Sequence, residues 1–378
     1  MRTSRILIAP DKFKGSLTAA DVAARIAAGI HGAVPSATCI ALPLADGGDG
    51  SVDAAISAGF TARRLRVGGP TGEPLVATVA ISGSTAVIEA ASICGLSVLA
   101  GGRLEPMRSS SCGIGDAIAA LVPEPGISRI VLALGGSATS DGGMGMLHAL
   151  GARFLDERGD RLEPSGSQLA RVHRVDLSSV IDLEGVEIVA ATDVRNPLLG
   201  QRGAAVVFGP QKGATASQVA ELELGLSRLV AALGDRAAVL SAEPGAGSAG
   251  GLGFAVLHIG GRVVSGADYF LDLLGFDALA ADADLVITGE GSLDEQTAGG
   301  KLVAVVAARS PSPVVAIVGR STLTPEQSAA LGLAEVRSIS AGTTRDTAGD
   351  PDLSAALVRD AASAIARSRL PEAQGTTV

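Results

Sequence analysis

The chain has 378 residues and a net charge of −9 at neutral pH, from 30 basic and 39 acidic side chains. This charge disfavours nucleic acid or an anionic membrane as the main partner. Aromatic residues make up 2% of the chain and tryptophan is absent, so a base-stacking surface for single strands is not expected either. Glycine is abundant, at 50 residues or about 13% against a usual ~7%, and it gathers in short loops beside apolar runs. Such loops favour close approach of backbone to a ligand.

Cysteine and histidine usage indicates reduced thiols and no zinc site. Cys39, Cys94 and Cys112 are odd in number and form no CxxC pair. The four histidines include no HxxxH pair. The apolar run at the start of the chain is too short for a signal peptide, and no stretch has the composition of a membrane span. We therefore expect a soluble, cytoplasmic protein.

The first elements alternate between strand and helix, as in a parallel sheet. Thr18 followed by Asp21 has the pattern of a capping box at a helix start. The predicted elements are a strand at Arg5–Ala9, a helix with Val22, Ile26 and Ile30 on one face, a strand at Thr38–Leu44 and a helix at Ser51–Ala58.

The middle of the chain begins with a predicted antiparallel meander. Three short strands, Arg64–Val67, Leu75–Ile81 and Ala86–Ala90, are separated by the turn sequences GGPTGEP and SGS. Alternating elements then return: a helix at Gly113–Leu121, a strand at Arg129–Leu134, a helix near 144–150, a strand at Val186–Thr192 and a helix across about 216–240.

The last third predicts a further series of strands and helices. Its elements are strands at Asp284–Thr288, Val314–Val318 and Glu335–Ser340, with helices at Lys301–Arg309, after Thr324-Pro325 and after Asp350-Pro351. We predict an α/β protein of two domains. A Rossmann- or flavodoxin-like parallel sheet comes from residues 1–70 plus 284–370, a mixed α/β domain with the meander is inserted at 71–283, and 371–378 form a loose tail.

Known nucleotide signatures are missing or stand in the wrong context. No P-loop sequence occurs; Gly300-Lys301 comes closest. Gly245–Gly250 matches GxGxxG, and Asp268 follows about 18 residues later, which leaves an NAD(P)-dependent oxidoreductase as an alternative. A dinucleotide fingerprint follows a strand, however, whereas a predicted helix and Pro244 precede this one. No GxSxG is present, which disfavours a serine hydrolase.

Charged and polar residues follow several predicted strands directly. Each one alone has an ordinary explanation, because aspartate after a strand commonly forms a turn or caps a helix. Together they supply the parts of phosphoryl transfer: cations and glycine loops for phosphates, carboxylates for Mg²⁺, and a proton acceptor. The residues are Asp11, Lys12 and Lys14; Asp46 and Asp49; Ser137, Thr139 and Asp141; Asp193, Arg195 and Asn196; and Glu290, Asp294 and Lys301.

Six blocks in this order resemble the bacterial glycerate kinase family. They are APDKFKGSLTA (9–19), PLADGGDGS (43–51), LGGSATSDGGMGML (134–147), ATDVRNPLLG (191–200), FGPQKGA (208–214) and ITGEGSLDEQTAGGK (287–301). The resemblance extends from about residue 5 to 340. It implies ATP-dependent phosphorylation of D-glycerate with Mg²⁺, in the cleft between two α/β domains. Family members mostly yield 2-phosphoglycerate, whereas some related enzymes phosphorylate the 3-hydroxyl.

The resemblance and the strand-end pattern together suggest a role for each candidate. Asp193 is predicted to orient or deprotonate the glycerate hydroxyl, with Asp294 as its rival, and Lys12 to stabilise the transferred phosphoryl group. Asp46 and Asp49 are candidates for Mg²⁺. Candidates for binding phosphate or substrate are Lys14, Ser137, Thr139, Asp141, Arg195, Glu290 and Lys301. The expected partners are small molecules, without nucleic acid or membrane, and an oligomer is possible. A binder of phosphorylated ligands without turnover is a further alternative.

Overall fold

Strands and helices alternate along the chain in a computed structural model, which describes residues 3–294 and 302–370. The strands are β1 (Arg5–Pro10), β2 (Thr38–Ala41), β3 (Thr61–Gly68), β4 (Pro74–Ser82), β5 (Thr85–Glu89), β6 (Arg129–Ala133), β7 (Arg153–Leu155), β8 (Arg174–Asp176), β9 (Glu187–Ala191), β10 (Arg262–Val264), β11 (Leu285–Gly289), β12 (Ser292–Leu293), β13 (Val314–Val318), β14 (Arg320–Ser321) and β15 (Leu333–Ser338). The α-helices are α1 (Ala19–Ala33), α2 (Ser51–Ser57), α3 (Ala90–Cys94), α4 (Cys112–Leu121), α5 (Met144–Ala149), α6 (Ala204–Phe208), α7 (Ala216–Leu233), α8 (Asp235–Leu240), α9 (Leu252–His258), α10 (Gly266–Leu273), α11 (Phe276–Ala281), α12 (Leu302–Arg309), α13 (Pro325–Ala330) and α14 (Pro351–Arg369).

Contacts divide the chain into two compact units. The first holds residues 3–46, 53–58 and the described residues from Ala267 onward; the second holds Gly47–Val52 and Gly59–Gly266. The predicted domain limits at 70/71 and 283/284 stay a prediction, and the predicted loose tail, 371–378, lies outside the described residues. No helix in the described chain is both long and apolar enough to span a membrane.

The first unit is built on a five-stranded parallel sheet in the order β15-β13-β11-β1-β2. Within the sheet this is the flavodoxin-like order 2-1-3-4-5. The capping box predicted at α1 is confirmed, since Asp21 donates its backbone N–H to Thr18 Oγ1 at 3.1 Å and its carboxylate accepts from the Thr18 backbone. Helices α1 and α14 bury apolar side chains against the sheet, among them Ile26 and Ile365.

The second unit is built on a six-stranded sheet in the order β10-β9-β6-β5-β4-β3. Strands β3, β4 and β5 pair antiparallel, which confirms the predicted meander. Strands β5, β6, β9 and β10 are parallel, so their carboxyl ends lie at one edge. A core of buried residues that includes Phe154 and Phe254 packs around this sheet. The two sheets confirm the predicted α/β class, with a discontinuous parallel domain and an inserted mixed one.

Several local features differ from the sequence-based prediction, and three of them have a simple physical reason. The helix predicted across 216–240 is divided into α7 and α8 at Gly234, whose φ of +87° ends the first helix. The strand predicted at Thr38–Leu44 ends at Ala41, three residues earlier, because Pro43 has no N–H for a ladder. The antiparallel pair β7 and β8 was not predicted, since each strand has only three residues.

Candidate functional site

The order of the first sheet reverses direction between β1 and β11, and ligands of open α/β sheets bind at such a switch point. Asp11 and Lys12 follow β1, and Glu290 follows β11. The backbone N–H of Asp11 donates to the carbonyl oxygen of Gly289 at 2.8 Å, so the two strand ends are joined. The chain therefore places a lysine and two carboxylates at the expected ligand edge of this unit.

Asp11 is the most electrostatically perturbed carboxylate of this edge. Its Oδ1 accepts a hydrogen bond from the backbone N–H of Lys12 at 2.7 Å. Burial raises the pKa of Asp11 to about 7, Lys12 lowers it, and the carboxylates of Asp46 and Glu290 raise it further. Asp46, which comes after β2, is thus close enough to act on Asp11. The predicted candidates Lys12, Asp46 and Glu290 belong to one charged cluster, with Asp11 as an additional member.

The loop after β11 approaches the loop after β1 through a glycine. A Cβ atom on Gly291 would lie 3.2 Å from the backbone nitrogen of Lys14, which leaves little room for a side chain. The Lys14 side chain is exposed, and Asp294, three residues beyond Gly291, is half-buried. The predicted candidate Lys301 and the loop residues 295–300 lie outside the described residues.

In the second unit, the loop 135–143 follows β6 and lies against a second glycine turn. Gly135 donates its backbone N–H to the carbonyl oxygen of Gly47 at 3.0 Å. A Cβ atom on Gly135 would lie 2.5 Å from the Cα atom of Gly48, so only glycine allows this approach. Asp49 is exposed in the same turn. We call residues 135–143 the glycine loop.

The carboxylate of Asp141 is used to hold the glycine loop in place. The residue has no exposed surface, and Oδ2 accepts from the backbone N–H and the hydroxyl of Ser111, both at 2.8 Å. Gly143 donates to Oδ1 at 3.1 Å and Gly145 to Oδ2 at 3.0 Å, near the start of α5. Four protein donors thus already satisfy a side chain that the sequence suggested for substrate, and its contact with substrate stays a prediction.

A buried lysine supports the glycine loop from a different element. Lys212 ends a short 3-10 turn, Pro210–Lys212, and its side chain is buried. Its Nζ donates to Ser137 Oγ at 3.2 Å and to the carbonyl oxygen of Thr139 at 2.5 Å. The hydroxyl of Thr139 in turn donates to the carbonyl oxygen of Ala249 at 3.2 Å. Both predicted candidates, Ser137 and Thr139, are therefore buried and tied to protein groups.

The GxGxxG segment Gly245–Gly250 also supports the glycine loop. It follows α8 and leads through a 3-10 turn into α9, without a preceding strand, so it lacks the context of a dinucleotide fingerprint. A Cβ atom on Gly250 would lie 2.0 Å from the carbonyl oxygen of Thr139, and the Gly250 carbonyl accepts from Gly142 at 2.9 Å. The glycines of this segment thus permit close backbone packing.

The loop after β9 carries Asp193 and Arg195, both exposed. Oδ1 of Asp193 accepts from the hydroxyl of Ser265 at 3.1 Å and from the backbone N–H of Gly266 at 2.8 Å. These donors follow β10, the neighbouring parallel strand, so Asp193 is held at the carboxyl edge of the sheet. The other predicted residue of this loop, Asn196, donates from Nδ2 to the carbonyl oxygen of Arg202 at 2.8 Å.

Glu89 is a buried carboxylate at the same edge that the sequence analysis did not single out. It ends β5 and accepts at Oε2 from the backbone N–H groups of Gly50 and Val52, at 2.9 and 3.1 Å. It therefore caps the first turn of α2, where a negative charge is favourable. The sequence pattern that could have identified Glu89 is a carboxylate at the end of a buried strand, the same pattern that identified Asp193.

No three His, Cys, Asp or Glu side chains form a group that could hold a metal ion within 3–294 and 302–370. The two predicted magnesium candidates also fall in different units, Asp46 in the first and Asp49 in the second. Mg²⁺ needs only one or two protein carboxylates when phosphate oxygens and water complete its octahedron. Asp46 and Glu290 each lie close enough to Asp11 for their charges to interact, and one or two of these carboxylates would supply the oxygen donors that such an ion needs.

The predicted candidates thus lie at the ligand edges of two sheets, and their individual roles stay predictions. The first unit brings together Lys12, Asp46 and Glu290 and also carries Lys14 and Asp294; the second carries Asp49, Ser137, Thr139, Asp141, Asp193 and Arg195. Sequence reasoning named Asp11 at a strand end without giving it a role, and it missed Glu89 and Lys212 as site residues. Asp11 and Lys212 stand inside recognised motifs, but burial of a lysine has no signal in the sequence itself.

Comparison with known proteins identifies the family. The model of the glycerate kinase family matches residues 6–369. A glycerate kinase of Bacillus subtilis is 40% identical over 326 residues, which are 83% of this chain and 85% of that protein. A glycerate 2-kinase of Escherichia coli is 39% identical over 327 residues, 84% of this chain and 86% of that protein. A crystal structure from Salmonella typhimurium LT2, of a protein provisionally named glycerate kinase 2, aligns with a TM-score of 0.81 at 36% identity and covers 97% of this chain and 98% of that one. The chain belongs to the glycerate kinase family.

Proposed function

We propose that the protein transfers the γ-phosphoryl group of ATP to the 2-hydroxyl of D-glycerate, which gives 2-phosphoglycerate and ADP. Family membership and the relative named glycerate 2-kinase support the reaction. The observation that carries it is the charged cluster of Asp11, Lys12, Asp46 and Glu290 at the switch point of a parallel sheet. Transfer to the 3-hydroxyl is the alternative within the family.

Lysines and glycine loops supply the binding of anionic oxygens in this proposal. Lys12 and Lys14 both follow the end of β1, where an ammonium can meet phosphate oxygens as a point charge. Lys301 is the third lysine that the sequence suggests for binding these oxygens. The glycine loop offers backbone N–H groups, and Arg195 can hold the glycerate carboxylate with two parallel hydrogen bonds. These groups stabilise the charge that develops on the transferred phosphoryl group.

Asp193 is our candidate for accepting the proton of the glycerate hydroxyl. One of its oxygens is held by Ser265 and Gly266, so the carboxylate is oriented on a fixed sheet edge. Asp294 is the rival, since it follows the β11 loop of the other unit.

Mg²⁺ is the metal ion that fits this donor set. Asp46 would hold it with Glu290 or Asp11, and Asp49 is the candidate of the second unit. When bound with ATP, the ion neutralises phosphate charge and orients the transferred group. We expect Mg²⁺ to enter together with the nucleotide, whose phosphate oxygens would complete its coordination.

ADP release from ATP tests the proposed reaction. We expect release that requires both D-glycerate and Mg²⁺, that falls to background with EDTA, and that is much slower with L-glycerate. ATP binding without release would support the alternative of a ligand binder, and binding of NADH would support an oxidoreductase. A matched control is Asp193→Asn, which should bind ATP normally but release ADP slowly.

We further propose that the protein works in the cytoplasm on small-molecule substrates. Cys39, Cys94 and Cys112 are all free, as expected in a reducing compartment that also contains ATP. Fractionation of the source cells with a reporter for each compartment tests this location.

A further inference from the structure

The ammonium group of Lys212 lies behind the glycine loop, out of contact with solvent. Its residue is 3% exposed, and its Nζ donates to Ser137 Oγ at 3.2 Å and to the Thr139 carbonyl oxygen at 2.5 Å. A buried ammonium is costly unless its hydrogen bonds are made. The lysine therefore has a defined position, fixed by two groups of one loop.

This contact determines the direction of the Ser137 hydroxyl. An ammonium has three donors and no acceptor, so Ser137 Oγ must accept from Lys212. The Ser137 proton must then point to a different acceptor. In residues 3–294 and 302–370, no protein oxygen is found to accept it, although Ser137 is itself buried at 5% exposure. Ser137 also follows β6 at the ligand edge of its sheet.

We propose that Lys212 is a positioning residue that fixes Ser137 as a hydrogen-bond donor to an anionic oxygen of the bound substrate. This inference rests on the proposed function, because it deepens the part played by the glycine loop. The oxygen belongs to a phosphate of the nucleotide or to the carboxylate of glycerate. Lys212 does not touch the substrate and acts through the serine.

The direction in which the Ser137 hydroxyl donates should depend on pH, because it depends on whether Lys212 is protonated. Cys94 on α3 and Asp141 on the glycine loop are the titratable groups that act on it. Burial outweighs both and lowers the pKa of Lys212 to about 8, whereas burial raises the pKa of Cys94 to about 12, so that thiol stays neutral. A neutral Lys212 amine can accept the Ser137 proton. The hydroxyl then turns inward, and activity should fall above about pH 8.

A double-mutant cycle tests the coupling. We expect Lys212→Met and Ser137→Ala each to lower kcat/KM about 10- to 100-fold, as for loss of one hydrogen bond to a charged group. The double variant should lose much less than the product of the two single losses, because Lys212 acts on the substrate through the Ser137 hydroxyl; a small further loss would report its second hydrogen bond, to the Thr139 carbonyl oxygen. Thermal melting checks that each variant is folded. Effects that multiply would overturn the proposal.

The pH profile gives a readout that is independent of Lys212 variants. The fall in kcat/KM near pH 8 should be present in the wild-type protein and absent in Ser137→Ala. A purely structural lysine would leave that fall unchanged in Ser137→Ala, which would contradict the inference. This comparison also decides the matter if Lys212→Met fails to fold.

Binding measurements identify the oxygen and separate this inference from the proposed reaction. Calorimetry with a non-hydrolysable ATP analogue and with D-glycerate on Ser137→Ala should show weaker binding of one ligand, the nucleotide for a phosphate contact or glycerate for a carboxylate contact. Unchanged binding of both ligands would overturn the inference. If wild-type protein binds the ATP analogue but does not phosphorylate glycerate, the reaction is wrong, whereas the same binding comparison still tests Ser137.

Discussion

Asp141 and Ser111 join the glycine loop to the start of α4, since the backbone N–H and the hydroxyl of Ser111 both donate to Oδ2 of Asp141 at 2.8 Å. The Ser111 hydroxyl also accepts from the backbone N–H of Met146 at 3.0 Å, on α5. The pair thus links two helices and a loop. Together with Lys212, it ties the glycine loop to protein groups from other parts of the chain.

Asp141→Asn should destabilise the fold by about 2–3 kcal/mol, because an amide would place its N–H₂ group against buried N–H donors. The expected result is a lower melting temperature in differential scanning calorimetry. Asp360→Asn, at an exposed position of α14, is the control and should melt like wild type. An Asp141 variant as stable as this control would show that the four hydrogen bonds are not needed.

Asp193→Asn should lower kcat about 100- to 10,000-fold with little change in KM, because general-base catalysis contributes rate enhancements of that size. The asparagine keeps a carbonyl oxygen for Ser265 and Gly266, so the loop stays in place. Steady-state kinetics measures both constants. The control Ser265→Ala removes one donor to the carboxylate and leaves the Gly266 N–H on the same oxygen, so it should cost much less than Asp193→Asn. Near-normal turnover by Asp193→Asn would move the proton acceptor to Asp294.

Lys12→Met should lower kcat/KM for ATP about 100- to 1,000-fold, because a cation that meets the developing phosphate charge is lost. Arg64→Met removes an exposed positive charge from β3 and controls for a general change of surface charge. Kinetics at two ionic strengths separates these effects, since exposed charges are screened by salt. Equal kinetics of the two variants would show that Lys12 contributes only a general surface charge and does not contact the phosphates.

Lys212 should make the protein more stable as the pH rises. Its pKa is lowered from 10.5 to about 8 in the folded state, so the unfolded chain binds more protons between these values. Relative to Lys212→Met, wild type should gain about 2 kcal/mol between pH 7.5 and 9.5.

The comparison with Lys212→Met removes an opposing effect of the thiols. Burial raises the pKa of Cys39 and Cys112 to about 11 and of Cys94 to about 12, so the unfolded thiols ionise first and stability falls above about pH 9. Both proteins share this loss. Denaturant melts across the pH series measure the difference, and a constant difference would mean that Lys212 titrates normally.

Local signals predicted much of the fold because they depend on neighbouring residues alone. The capping box predicted at Thr18 is present, and the helix predicted after Thr324 begins at Pro325. The end of α7 at Gly234 could also have been predicted, since a glycine commonly follows the last residue of a helix; its φ is +87° in the structure. The strand-end rule located Asp193 and Glu290 but was not applied to Glu89.

Long-range contacts explain what could not be predicted. Lys212 lies 75 residues from Ser137 in sequence, and only the packed fold shows that its ammonium is buried against the glycine loop. Asp141 similarly depends on Ser111, 30 residues earlier. In the sequence both are polar residues in glycine-rich segments, with the same appearance as a solvent-exposed ligand. The burial of a side chain and the identity of its hydrogen-bond partners therefore distinguish residues that support the loop from residues that could bind a ligand.

Phosphorus NMR of a reaction with ATP, Mg²⁺ and D-glycerate shows both whether glycerate is phosphorylated and at which hydroxyl. We expect ADP together with a new phosphomonoester whose signal is split by the single C2 proton, as in 2-phosphoglycerate. Splitting by the two C3 protons would show that the 3-hydroxyl is the acceptor. ADP with inorganic phosphate alone, or unchanged ATP, would contradict the claim that this protein phosphorylates glycerate.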